Sequence, residues 1–560
     1  MRRRHLHRLH RALVGLMLVA VTASGCVRLP DSGSPERVGD QTVSGDTGYV
    51  VNASGPSDGA SPEEIITGFI LASADTRASH AVAREYLTDE FAQTWHPDQQ
   101  VQVITDSPSL QHSDGDVYIA TGQRSAVVDD IGVFRPAGDT VADAYRLTEV
   151  DGQWRIDSAP QGITLTQASF SLVYRSVSLA YLGAGAGSLV ADVRWFPVGD
   201  QAVTRIASAW FAGPSPLLKG VVGTALTSDV RMAVDSVAVA DGVAAVSLNA
   251  DFLMLGQTEQ RQVKTMLVRS LTQVSNVTDV SIVVNNVPID VQEYSSDELD
   301  FEQVDDGRMI VVNSGGAQVL DESAWTPESD PGETNTRITQ SLSGVTVLSL
   351  AVVNGRFVAA TGTELRWMGA DGAAHTTADI ASTAVSLDRQ GYAWYVSRGQ
   401  ITWLDLDSGD SGVLDLGGQK VQQAIITPDG SRLGVAVGPQ GQTTIEVVGV
   451  ARNAQGHPAE TTAAVQLGTG EAVSAFSWYA DDTLLWASPT DAGSTVTLAA
   501  ISGQTTQTAQ TTGGQAIDAL VAGPRTASIR ALAGGSVLTQ QGTSWVDARQ
   551  SFSALAWIWR

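Results

Sequence analysis

The chain has 560 residues, 43% of them hydrophobic and 17% charged; the length suggests ~three or four domains, and the composition excludes wholesale disorder. Its formal net charge is −26, and the first 11 residues carry five arginines (Arg2, Arg3, Arg4, Arg8, Arg11), so the remainder stands at −31. A body that acidic is repelled by phosphate backbones, which argues against nucleic acid as a partner. Cys26 is the sole cysteine, which excludes intrachain disulfides, cysteine-based zinc sites and thiol redox pairs.

Residues 1–11 are basic, residues 12–23 are apolar, and Ala23-Ser24-Gly25 leads into Cys26. A charged start, a short apolar run and a small-residue end predict a signal peptide over residues 1–25. The apolar run is too short to cross a bilayer, which takes about 20 residues. Nothing later in the chain approaches an apolar stretch of about 18 residues. Ala-Ser-Gly-Cys resembles the bacterial lipobox, with Ala23 standing where Leu is more usual. That resemblance implies cleavage between Gly25 and Cys26 and transfer of a diacylglycerol to the Cys26 sulfur. The alternative is an ordinary secreted protein with a free thiol, a liability in an oxidising compartment. Two or three acyl chains, at about 0.8 kcal/mol per buried CH₂, would give durable anchoring. Residues 26–60 are then a lipidated tether, rich in Gly, Ser, Pro and Asp, spanning roughly 30 Å in root mean square.

The first folded region is expected over residues 61–168. Ser61-Pro62-Glu63-Glu64 is a helix start, and Ile65, Ile66, Phe69 and Ile70 follow at helical spacing. A second helical stretch over residues 79–95 places Val82, Tyr86, Leu87 and Phe91 together. Strand-like runs follow at residues 116–120, 126–133, 144–150 and 154–156, with Asp151-Gly152 as a hairpin turn. Helices followed by antiparallel strands predict an α+β domain, which resembles the cone-shaped nuclear-transport-factor-2-like (NTF2-like) fold.

The second region is expected over residues 170–295. Strand patterns occupy residues 176–182 and 190–198, and Pro214-Ser215-Pro216 predicts a helix turning Leu217, Leu218, Val221, Val222 and Ala225 inward. Asp241-Gly242 joins strands over 234–239 and 243–248. A helix over 258–274 buries Val263, Met266, Leu267 and Leu271, and residues 277–284 close as a strand. The region resembles the α+β GerMN domain of spore-germination and envelope proteins. The resemblance rests on Phe211-Ala212-Gly213-Pro214 after a helical lead-in, on Val237, Asp241-Gly242 and Val246-Ser247-Leu248, and on Val277-Thr278-Asp279-Val280 after the late helix.

From residue 301 to 560 helical periodicity disappears, and nine of the 13 tryptophans fall here. Weakly similar segments begin at residues 345, 384, 422, 474 and 517, a spacing within the range of propeller blades. Thr427-Pro428-Asp429-Gly430 is close to a turn common in propellers. Residues 309–320 supply another blade or the closing strand. The expectation is an all-β propeller of five to seven blades.

A lipobox, an NTF2-like segment, a GerMN segment and a C-terminal propeller, in that order, is similar to the actinobacterial lipoprotein LpqB family. Cys26-Val27-Arg28-Leu29-Pro30 and the use of only three lysines among 34 basic residues fit that source. The resemblance implies an accessory factor on the extracytoplasmic face of the cell membrane. Its implied partner is the extracytoplasmic domain of an MtrB-like sensor histidine kinase, in two-component control of envelope homeostasis.

The residues themselves offer little chemistry. Gly409-Asp410-Ser411-Gly412 reads as a blade turn rather than a protease nucleophile loop, and the G-x-S-x-G spacing of Gly55-Pro56-Ser57-Asp58-Gly59 falls in the tether, without the preceding strand of a nucleophile elbow. Gly183-Ala184-Gly185-Ala186-Gly187 precedes a strand pattern, not the helix a phosphate cradle needs. His80, His96, His112, His375 and His457 show no metal-ligand spacing. Asp129-Asp130, Asp305-Asp306 and Asp481-Asp482 read as solvated turn carboxylates. No catalytic, cofactor-binding or metal-ligating residue is expected. An interaction lipoprotein is the primary reading. A glycan-binding module or propeller hydrolase using Trp403 or Trp486 as a sugar platform is the alternative.

Overall fold

The computed structural model describes residues 53–559, apart from residues 185–186, 296–297, 300–304, 322–324, 381, 440, 471, 504, 508–515, 524–528 and 542–543. The signal, the Gly25–Cys26 junction and most of the tether lie outside the described residues. The three folded domains belong to one compact unit.

In the first domain Ser61 starts the helix Pro62–Ala72 with a reciprocal cap. Its hydroxyl accepts the Glu64 N–H, and the Glu64 carboxylate accepts the Ser61 N–H at 2.8 Å. Ile65, Ile66, Phe69 and Ile70 are buried on one face, as their spacing requires. The single helix expected over 79–95 is instead two short ones, Ala81–Arg84 and Asp89–Thr94. Thr88 breaks it: its backbone is extended, its N–H donates to the Ile156 carbonyl, and its hydroxyl caps the second helix. Two expected strands fuse into Val117–Asp129, followed by Thr140–Val150 and Gln153–Ser158. Asp151 and Gly152 turn between the last two with positive φ at both positions, the geometry a two-residue hairpin needs. The strands Gln100–Ile104 and Ile163–Thr166 had no separate pattern in the sequence; they pair in parallel and extend the sheet beyond Val117–Asp129.

The second domain begins with the ribbon Tyr174–Leu182 and Leu189–Pro197. Its helix is Ala202–Phe211, ahead of the Pro214-Ser215-Pro216 position where one was expected. Residues 214–225 are turns because Pro214 and Pro216 remove donors and Gly213 and Gly220 take positive φ. Leu217 and Leu218 are nevertheless buried. Ala238–Ala240 and Val243–Leu248 form a hairpin through Asp241 and Gly242, both at positive φ. The helix Gln257–Leu271 then crosses to Asp279–Val284, which pairs in parallel with Val243–Leu248. Val263, Met266, Leu267 and Leu271 fill the core between helix and sheet.

The third domain closes as six blades. Five follow one another, with inner strands Ser349–Val353, Val385–Leu387, Val421–Ile426, Ala475–Ala480 and Ala519–Val521. The sixth joins opposite ends of the domain: Ala554–Trp559 is its inner strand and pairs antiparallel with Asp305–Asn313, which pairs with Gly316–Asp321. Ala554–Trp559 also bridges in parallel to the first inner strand through Val352–Ile558 and Val353–Trp559, so the ring is shut. Asp305-Asp306 therefore opens a strand and is not a turn. One helix, Glu333–Ser341, interrupts the expected all-β pattern and buries Ile338 against the first blade. Gly409-Asp410 is a turn between the strands Gln400–Asp405 and Ser411–Leu414, and Gly183-Ala184 lies in the turn between the ribbon strands.

Candidate functional sites

Two places bring residues from distant parts of the sequence together: the propeller channel, and the junction where the three domains meet.

The channel is a cavity of about 510 Å³ lined by all six inner strands. Toward the end where those strands begin, each blade contributes a polar residue: Ser349, Thr383, Gln423, Ser474, Asp518 and Ser553. In blades two to five the inner strand pairs on one side only, so its other edge faces the channel. Serines of the preceding blade occupy donors on those edges. Ser349 Oγ accepts the Val385 N–H at 3.2 Å, Ser386 Oγ that of Ile426 at 3.1 Å and Ser477 Oγ that of Ala522 at 3.2 Å. Gln423 Nε2 donates the other way, to the carbonyls of Val473 and Ser474. These bonds clasp successive blades. The sequence signal for them was a hydroxyl or amide in or beside each inner strand, inconspicuous in a chain rich in Ser and Thr.

At the junction, Trp195 of the ribbon enters the core of the first domain, with Phe170 and Phe134 at ring distances of 4.9 and 6.0 Å. Its indole N–H donates to the Ser502 carbonyl of the propeller at 2.9 Å. A second tie comes from Arg432, only 2% exposed, which donates through Nη2 to the Ala191 carbonyl. A third is Thr462 Oγ1, which donates to the Leu217 carbonyl at 2.9 Å. Between these ties lies a cavity of about 240 Å³, walled by Phe134 and Pro136, by Val193 and Leu217, and by Arg432 and Val465.

Acids stand directly behind these ties. Asp429 Oδ1 accepts from Thr427 Oγ1 at 2.5 Å, the Ser431 N–H at 2.8 Å and Ser431 Oγ at 2.7 Å, and Asp429 Oδ2 lies 3.8 Å from Arg432. The Thr427-Pro428-Asp429-Gly430 turn thus positions the guanidinium that reaches the second domain. Asp482 accepts from Thr483 Oγ1 at 2.9 Å and Ser502 Oγ at 3.3 Å, beside the carbonyl that takes the Trp195 N–H. The Asp481-Asp482 pair is not solvated as expected: Asp482 is buried and Asp481 half-buried. Burial, with the negative charge of Asp429 beside it, pushes the Asp481 carboxyl up to about 7, against the pull of Arg432. Asp129, by contrast, is held in a strand-end turn by the Val133 N–H at 2.8 Å and by Arg135.

A further buried ion pair knits blades two and three. Asp388 Oδ2 lies 2.7 Å from Arg452 Nη2 and accepts the Trp394 indole N–H at 3.0 Å. Burial pushes the Asp388 carboxyl up, while Arg452 and Trp394 pull it back. His457 stacks on Trp403 with ring centroids 5.3 Å apart and bonds the Tyr392 hydroxyl at 3.1 Å. Trp403 and Trp486 are 8% and 5% exposed, so neither of the two tryptophans expected as a sugar platform presents a free face. His80 is buried beside Trp95, and burial pushes its imidazole down to about 4. Among the described residues no group of three or more His, Cys, Asp or Glu side chains is disposed to hold a metal ion.

Comparison with known proteins gives the same three-part order. Residues 55–171 match the lipoprotein LpqB N-terminal domain, residues 180–290 a sporulation and spore germination domain, and residues 338–554 the lipoprotein LpqB beta-propeller domain. The chain belongs to the lipoprotein LpqB family. The lipoprotein LpqB of Bifidobacterium longum is 25% identical over 465 residues, covering 79% of this chain and 78% of that protein. That of Cutibacterium acnes is 25% identical over 287 residues, covering 50% and 48%; that of Streptomyces avermitilis is 30% identical over 230 residues, covering 38% of each. In the last two cases the match spans less than half of the relative's own length. TolB from Acinetobacter baumannii aligns with 45% of the chain and 66% of its own at 15% identity, with a TM-score of 0.33, too low to carry an argument. The LpqB propeller match starts at residue 338, so the strands Asp305–Asn313 and Gly316–Asp321 that complete the sixth blade lie ahead of it. No helix among the described residues is long and apolar enough to cross a membrane.

Proposed function

We propose that this LpqB-family chain is a lipid-anchored accessory protein on the extracytoplasmic face of the cell membrane. Its partner in this reading is the extracytoplasmic domain of an MtrB-type sensor histidine kinase, whose signalling in envelope homeostasis it tunes. Attachment runs through Cys26 after cleavage at Gly25. The tether that lets the body stand off the surface is shorter than the expected 26–60, because Ala53 and Ala60 pack on the first domain, the Tyr86 hydroxyl donates to the Ser54 carbonyl at 2.8 Å and the Gly59 N–H donates to Gln153 Oε1 at 2.8 Å. The observation that carries the reading is the junction. Trp195, Arg432 and Thr462 tie three domains into one body, which suits a platform presented to a partner rather than hinged modules closing on a substrate. The acidic charge of that body favours a partner surface of opposite sign. The glycan-platform reading loses its support, because Trp403 and Trp486 are buried in the blades.

The test is reconstitution of the kinase in vesicles with and without the lipidated chain, reading kinase autophosphorylation. The chain is expected to change the rate, and a Cys26→Ser variant to do so only at much higher concentration. No change in rate at any concentration would overturn the reading.

A further inference from the structure

The channel mouth has a chemical bias that the partner reading does not use. Free strand edges line it, yet the N–H groups of Val385, Ile426 and Ala522 are already taken by Ser349, Ser386 and Ser477. In an antiparallel strand the N–H and C=O of one residue point to the same side. The carbonyls of Val385 and Ile426 therefore face the channel side with their own donors spent. The rim adds oxygen acceptors from Ser349, Thr383, Ser474 and Ser553. Asp518 is the one ionisable side chain among the described lining residues, and it lies exposed at the mouth. Its Oδ2 accepts the Gly534 N–H at 2.8 Å, which fixes the carboxylate while leaving lone pairs available. Gln423 and Trp478 occupy the carbonyls of Ser474 and Ile425, so the bias rests on the rim oxygens and on charge: one fixed carboxylate and no cation in the described lining favour a positive group with several donors. The cavity volume of about 510 Å³ admits a long side chain carrying such a group.

We propose that the propeller channel of this chain is a binding site for an organic cation, an alkylammonium or guanidinium group on an aliphatic stem, with Asp518 as its counter-ion. The stem would lie along the channel while the charged head meets Asp518 and the rim hydroxyls. Two sources present this chemistry: a Lys or Arg side chain of a protein partner, and a free diamine. The proposal goes beyond the kinase reading and does not rest on it.

The experiment is calorimetric titration of the full mature chain, residues 26–560 with Cys26→Ser. The probes are cadaverine, N-acetyl-lysine amide and N-acetyl-arginine amide, with 1,5-pentanediol, N-acetyl-norleucine amide and glutarate as controls. Saturable binding of at least one cation at one site per chain is expected, at least tenfold tighter than its neutral counterpart, with no binding of glutarate. Asp518→Asn keeps an acceptor for the Gly534 N–H and should weaken the cation about tenfold while leaving the neutral probe unchanged. Thr383→Trp, at an exposed rim position, should block entry with the melting temperature preserved. Tighter binding of the blocked amino acids than of cadaverine assigns the site to a protein side chain, and the reverse order to a free amine. No saturable cation binding, binding indifferent to Asp518→Asn, or binding that survives Thr383→Trp would each overturn the proposal. Failure of kinase binding in a separate assay would leave this result untouched.

Discussion

Trp195 and Ser502 are 307 positions apart in sequence, yet the indole N–H of the first donates to the carbonyl of the second at 2.9 Å. The same ring lies in the aromatic cluster of Phe134 and Phe170, so one side chain from the second domain is shared with both of its neighbours. Truncation should therefore act on the whole body. Trp195→Ala is expected to cost about 3–5 kcal/mol through loss of packing, and Trp195→Phe about 1 kcal/mol through loss of the hydrogen bond. Hydrogen exchange checks it: protection should fall in the first domain and around Ser502 together. A fall confined to the ribbon would contradict the shared role.

Asp388 and Arg452 make a prediction of a different kind. Removing the cation leaves a carboxylate buried against Trp394, so Arg452→Leu should destabilise by about 3–5 kcal/mol. The double variant Asp388→Asn with Arg452→Leu should recover part of that loss, because no charge is then stranded. Thermal unfolding of the two variants beside the parent decides it.

Two titrations act with opposite signs. Asp481 has its folded value raised to about 7 against an unfolded value of about 3.9, so the folded chain holds the extra proton. The stability this confers is complete below about pH 4 and is lost as pH rises toward about 7. Asp481→Asn should consequently raise the melting temperature more at pH 8 than at pH 5. His80 is the converse: with its folded value near 4 and an unfolded value of about 6.5, stability present above pH 6.5 is lost as pH falls toward 4. Exchange protection in the first domain should therefore weaken over that window, and equal protection at pH 7 and pH 4.5 would contradict the assignment.

Much of this architecture was legible from residues, and what escaped has physical causes. Ser61 and Glu64, Asp151-Gly152 and Asp241-Gly242 act through local backbone geometry, so a few residues suffice to reveal them. The helix expected after Pro214 failed because Leu217 and Leu218 owe their burial to tertiary packing, not to helical spacing. The break at Thr88 depends on Ile156, a partner 68 positions away, which no window contains. Five blade starts were visible as repeats. The sixth blade was hinted at by residues 309–320, but its inner strand comes from the other end of the domain. Asp481-Asp482 resembles any exposed acidic turn until the ribbon is placed above it.

That sixth blade supplies its own prediction. Ala554–Trp559 pairs with Asp305–Asn313 and with the first inner strand, so a chain ending at residue 552 leaves both edges open. Loss of cooperative unfolding and association through the exposed edges are expected by calorimetry and size-exclusion chromatography. A monomer with an unchanged melting transition would show that closure does not hold the ring.

Trp403 and Trp486 should behave as core residues. Either one changed to Ala is expected to cost about 3–5 kcal/mol, so any loss of binding in these variants reports unfolding. Denaturant titration gives the cost directly, and a neutral substitution would reopen the platform reading.

The most direct test of the functional account is equilibrium binding of the mature chain, residues 26–560 with Cys26→Ser, to the purified extracytoplasmic domain of the MtrB-type kinase from the same cell. Saturable binding at micromolar concentration or tighter is predicted, weakened by rising salt as an acidic body demands. Absence of binding at low salt, with all three domains folded by hydrogen exchange, would contradict it.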